Sequence, residues 1–114
     1  MSAFAETLLD RELALTRVGG DAELLKEIAS LFLEDYPLSL AELRDALARG
    51  DATKVERTAH GLKGSVSNFG AQPAVEAARN IESLGRAHQL AEVGQVLNTL
   101  ELALAALRPE LESL

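Results

Sequence analysis

Near the C-terminus, Leu90, Val93, Leu97, Leu100, Leu104 and Leu107 recur at alternating spacings of three and four residues. That rhythm holds all six side chains on one side of a 3.6-residue helix, the seam by which a helix packs into a bundle. The composition agrees. The chain is 47% hydrophobic with Leu and Ala dominant, and only 4% aromatic with three Pro. A β-sandwich would want more Val, Thr and aromatic residues. At 114 residues the sequence suits one domain, 1–114, long enough to bury a core.

Turn signals divide the chain. Gly-Gly-Asp at 19–21 closes a short N-terminal segment, and Asp21 is a good N-cap for the next helix. Gly50 supplies a helix stop and Asp51 another cap. The stretch Asn-Phe-Gly-Ala-Gln-Pro at 68–73 brings a Gly and then a Pro suited to a first helical turn. Gly85 marks a third break before a segment starting near Gln89, and Pro109 closes the last helix. Between Asp21 and Arg49, Leu25, Ile28, Phe32, Tyr36, Leu43 and Leu47 keep one broad face at about 100° per residue, straight through Pro37. A loop would reset that phase, so one long kinked helix is expected. The pattern predicts an all-α fold: an antiparallel four-helix bundle with a small additional helix, around Leu9 to Arg17, capping one end.

Several functions are disfavoured. There is no cysteine, so disulfides and thiolate metal sites are out. A formal net charge of -7 argues against nonspecific nucleic-acid binding, which needs clustered Lys and Arg. No apolar run approaches the roughly 20 residues of a membrane span. The first ten residues lack the basic start and apolar stretch of a secretory signal. A cytoplasmic protein is expected.

The chemistry converges on one helix. Between Asp51 and Asn68, Val55, Ala59, Leu62, Val66 and Phe69 form a narrow core stripe, roughly 80° wide at 100° per residue. His60, one of two histidines, lies well away from that stripe, with Gly64 and Ser67 on nearly the same line and Lys63 at its flank. A lone histidine most often has no special task, but this one faces solvent. Its i+4 neighbour, the residue that stacks beside it, has no side chain. Gly64 thus clears space around the imidazole, and Lys63 at i+3 brings a positive charge to it. An imidazole, with a reference pKa near 6.5, stays largely neutral and nucleophilic at cellular pH. A phosphoryl group on a ring nitrogen fits this arrangement, with Lys63 offering charge-assisted hydrogen bonds to its oxygens.

The pattern Ala59-His60-x-Leu62-Lys63-Gly64-x-x-x-Asn68-x-Gly70-Ala71 resembles the signature of histidine-containing phosphotransfer (HPt) domains. The stretch LLDRELALTRVGGDAELLKEIASLFLEDYP resembles their usual lead-in, and IESLGR their following helix. The resemblance implies that His60 is phosphorylated with Lys63 and Gly64 at the phosphate. It implies as partners the receiver domains of response regulators or hybrid histidine kinases, whose aspartate exchanges the group. It suggests that the receiver also supplies Mg²⁺, the chain itself having no cofactor and no metal site. Some relatives place a glutamine one helix on, near the histidine. By spacing Glu82 stands there, and its carboxylate, which would repel a phosphoryl group, is given no phosphate-binding role.

Other chemistry is thin. His88, at a helix junction, reads as a solvated turn residue. Glu56 at i-4 makes at most a weak pair with His60, and no second histidine lies at i+3 or i+4 to build a zinc site. Ser67, two turns on, is too distant to serve His60 as a nucleophile and is kept only as part of a candidate docking face. The expected protein is therefore a monomeric phosphorelay intermediate without turnover of its own. The alternative is a helical adaptor that binds a receiver or kinase without carrying phosphate. The initial Met and the end just after the last helix favour a stand-alone chain over a piece of a hybrid kinase.

Overall fold

Three of the helices begin at an aspartate whose carboxylate accepts the backbone N–H three residues on: Asp10 from Leu13, Asp21 from Leu24 and Asp51 from Lys54, each at 3.1 Å. Such caps satisfy amide groups that the helix leaves without partners. In a computed structural model that describes residues 8–114, they start α1 (Arg11–Arg17), α2 (Ala22–Ala48) and α3 (Ala52–Ser67). Most of the stretch tested for a secretory signal lies outside the described residues. Two more helices come after them, α4 (Gln72–Arg86) and α5 (Val93–Glu112). Pro73 sits in the first turn of α4, as expected of a residue without an N–H to orphan.

The four long helices form a ring in which α2 packs on α3, α3 on α4, α4 on α5 and α5 back on α2, with α1 against α2 at one end. Short turns make neighbours antiparallel. Phe69, Leu43, Ile81, Leu97, Leu100, Leu104 and Leu107 are fully buried at the centre. Phe32 lies 5.4 Å from Tyr36 and 5.3 Å from Phe69, ring centroid to ring centroid. The expected stripe is the observed one: Val55, Ala59, Leu62 and Val66 of α3, and Phe69 in the turn just past its end, are all buried.

Helix α2 runs unbroken through Pro37. The proline is exposed, so the carbonyl it leaves without an amide can turn to water. Ile28 and Leu47 are only half-buried at the edge of this face, and Ala29 and Leu40 share the core with the others.

Four expectations are corrected. Pro109 does not close the last helix, which continues to Glu112. Its final turn is held by tertiary contacts instead: Leu111 is buried, and the Glu110 carboxylate accepts the backbone N–H groups of Leu8 and Leu9 at 3.0 and 2.8 Å. Leu90 belongs to a short 3₁₀ turn, Leu90–Glu92, that leads into α5. Gly85 is not a break but a helical residue, buried where α4 meets α3. A Cβ there would stand 2.8 Å from the Glu56 backbone nitrogen and 3.1 Å from the Ala52 carbonyl oxygen. The glycine lets the two backbones touch. Finally, Leu90–Glu112, 23 residues that include an 18-residue window of mean hydropathy 1.3, is long and apolar enough by composition to cross a membrane. Its seam from Val93 to Leu111 is buried in the bundle.

Candidate functional site

Close contact between α3 and α4, permitted by Gly85, brings one carboxylate under the exposed face of α3. Glu82 is the one buried charged side chain among the described residues, at 6% exposure. It lies on the apolar face of α4, between Ala78 and Ile81 on one side and Gly85 on the other. A charge in such a position needs partners. It has three. Glu82 Oε2 stands 2.8 Å from His60 Nδ1, Oε1 accepts from Lys63 Nζ at 2.6 Å, and Arg86 donates to Oε2 at 3.2 Å.

The Lys63 bond is the main reason that the Glu82 carboxyl is held below its usual range, with His60 adding to the effect and burial opposing it. Glu82 is therefore ionised at neutral pH and can only accept. The proton in its contact with His60 must then sit on Nδ1. This fixes the tautomer: the neutral ring donates from Nδ1 and keeps its lone pair on Nε2. The His60 side chain is 68% exposed, so the imidazole is gripped on one edge and open on the other.

The structure brings together His60, Lys63 and Gly64, as the sequence suggested, and adds Glu82 and Arg86. Lys63 does not wait free in solvent; its ammonium is paired with Glu82, and its side chain is 25% exposed. Nothing lies within 4 Å of a Cβ built on Gly64, so the space beside His60 is open. Ser67 turns its hydroxyl back to the Gly64 carbonyl at 2.7 Å and makes no bond to His60. Glu56 is corrected: its carboxylate accepts from Arg86 Nε at 2.9 Å rather than pairing with His60. His88 is exposed in the turn after α4, at φ 57°, a left-handed conformation in which His is tolerated better than most side chains. Among the described residues, no three His, Asp or Glu groups gather as a metal-ligand set.

Glu82 is the residue that reading the sequence undervalued. The resemblance placed it near His60, 22 positions earlier, but its carboxylate was given no role there. The available signal was an acid on the buried stripe of an otherwise apolar helix face.

Comparison with known proteins bears on this site. The family model for the Hpt domain matches residues 27–110. No curated protein matches the sequence. Among solved structures, histidine-containing phosphotransfer protein B (HptB) from Pseudomonas aeruginosa PAO1 superposes with a TM-score of 0.86 at 25% identity, covering 96% of this chain and 94% of that one. The match runs from the second turn of α2 to the last of α5 and takes in the whole site, and the chain belongs to the Hpt domain family, the histidine phosphotransfer proteins of phosphorelays.

Proposed function

We propose that His60 is the residue that carries the phosphoryl group, on Nε2, and that it exchanges this group with the aspartate of a receiver domain. The observation that carries this reading is the grip of Glu82 on Nδ1 at 2.8 Å, with the other edge of the ring open to solvent. A ring held in one tautomer presents its lone pair in a fixed direction, as an attacking nitrogen requires. Lys63 is the nearby cation for the phosphoryl oxygens. Gly64 leaves room for the receiver, and Ser67, one turn on, extends the face against which it docks.

In-line phosphoryl transfer needs its oxygens neutralised, a task that usually falls to a metal ion. In this reading Mg²⁺ arrives with the receiver, beside the acceptor aspartate. The chain acts as a monomeric cytoplasmic carrier and has no turnover alone. The test is exchange with a receiver. Phosphorylated protein, isolated and mixed with a receiver domain, should hold its label without Mg²⁺ and lose it to the receiver once Mg²⁺ is added. Label that leaves at the same rate with and without the receiver refutes the reading. A stable complex with a receiver but no label at all would identify an adaptor instead.

A further inference from the structure

The Glu82 carboxylate touches the imidazole on the side away from the reacting nitrogen, so its influence reaches the phosphoryl bond through the ring. We infer that Glu82 is a positioning residue that keeps the proton on Nδ1 throughout the transfer cycle, so that His60 always departs as a neutral imidazole. The inference rests on the acceptor role proposed for His60 and assigns to Glu82 the control of how readily the group moves on.

In the forward step the Nε2 lone pair attacks the phosphorus of the receiver's aspartyl phosphate, the P–O bond breaks, and its electron pair leaves with the aspartate carboxylate. The ring then carries a phosphoryl group on Nε2 and a proton on Nδ1, and so one positive charge. In the return direction a carboxylate oxygen attacks phosphorus, the N–P bond breaks, and its pair goes back to Nε2. No proton moves in either step provided that Nδ1 keeps its own. Were that proton lost, the leaving group would be an imidazolate anion, a far poorer one.

The structure supplies what holds it. The ring's positive charge would face an ionised carboxylate at 2.8 Å, buried and so weakly screened by water. The charged groups on that carboxylate are His60 and Lys63 from α3 and Arg86 from α4 itself, while Glu56 of α3 faces it only through Arg86. Lys63 and Arg86 keep the carboxylate ionised and in place. If Lys63 turns to the phosphoryl oxygens, Arg86 still holds Glu82, and the carboxylate's unneutralised charge falls more fully on the imidazolium. A glutamine in the same place could accept from Nδ1 but would bring no charge.

The test reads the proton directly. The full chain is phosphorylated with phosphoramidate, and the Nδ1 proton of the phosphorylated ring is followed by ¹⁵N NMR from neutral to alkaline pH, with free phosphohistidine as the reference. In the wild-type protein the ring should keep its proton to higher pH than the reference does, because an opposite charge in contact favours the protonated form. Glu82→Gln should bring it back toward the reference, and the pH at which transfer to a receiver slows should move down with it. A wild-type ring that titrates with free phosphohistidine overturns the inference whether or not the variant folds, as does a folded variant that titrates with the wild type. A wild-type chain that takes up no phosphoryl group at all refutes the acceptor role itself and removes the inference with it.

Discussion

Replacing Gly64 with Gln sets stability against function. Glycine costs a helix interior about 1 kcal/mol relative to alanine, and glutamine lies close to alanine. Gly64 is in the middle of α3, exposed, with nothing within 4 Å of a built Cβ, so the new side chain meets no steric penalty. The variant should gain most of that 1 kcal/mol, which for a domain of about 100 residues raises Tm by roughly 4–8 °C. Helical side chains lean toward the N-terminus and cover the preceding turn, which here carries His60 at i-4. Glutamine would therefore lie over the open edge of the imidazole. Thermal unfolding by circular dichroism and label transfer from a phosphorylated receiver, measured on the same samples, read both effects. The expected result is a more stable protein that accepts phosphate poorly. Transfer at the wild-type rate would refute the argument that Gly64 keeps space for the partner. A lower Tm would refute the claim that its neighbourhood is empty.

Gly85→Ala should behave in the opposite way: its Cβ would press on the backbone of α3 at 2.8 Å, and overpacking of this kind costs about 1–3 kcal/mol, more than the gain in helix propensity. A chemical denaturation midpoint at or above that of the wild type would contradict it. Lys63→Ala should slow transfer without abolishing it, since one cation assists bond making but does not perform it; unchanged rates in both directions would remove Lys63 from the site. Because the Glu82 carboxyl is held below its usual range, folding favours its ionised form, and that contribution is complete above the ordinary carboxylate range and lost as pH falls through the folded value. The stability gap between the wild type and Glu82→Gln should therefore be widest near neutral pH and narrow in acid, by urea denaturation at each pH; a gap that widens in acid would reverse the assigned direction.

How much of this was legible in the sequence depends on the range of each interaction. The helices were, because caps such as Asp21 and Asp51 and the seam from Val93 to Leu107 are local patterns that packing confirms. The exposed setting of His60 and the open space at Gly64 were legible for the same reason, as both arise from helical phase alone. Pro109 misled because a proline usually ends a helix, whereas here Leu111 and Glu110 are tied to the rest of the molecule. Gly85 was misread, and Glu82 was placed near His60 but left without a role. Their roles exist only across the α3–α4 contact, where one permits the approach that delivers the other to His60. Assigning Glu56 to His60 failed similarly, since Arg86, 30 residues away, takes that carboxylate.

The central claim is that the phosphoryl group resides on His60. The wild-type chain and His60→Gln are each incubated with a phosphorylated receiver domain and Mg²⁺, separated, and assayed for label that is labile in acid and stable in base. Because His60 is exposed and packs little, the variant should fold as the wild type does. The account predicts such label on the wild type and none on His60→Gln; label on the variant at the wild-type level would contradict it.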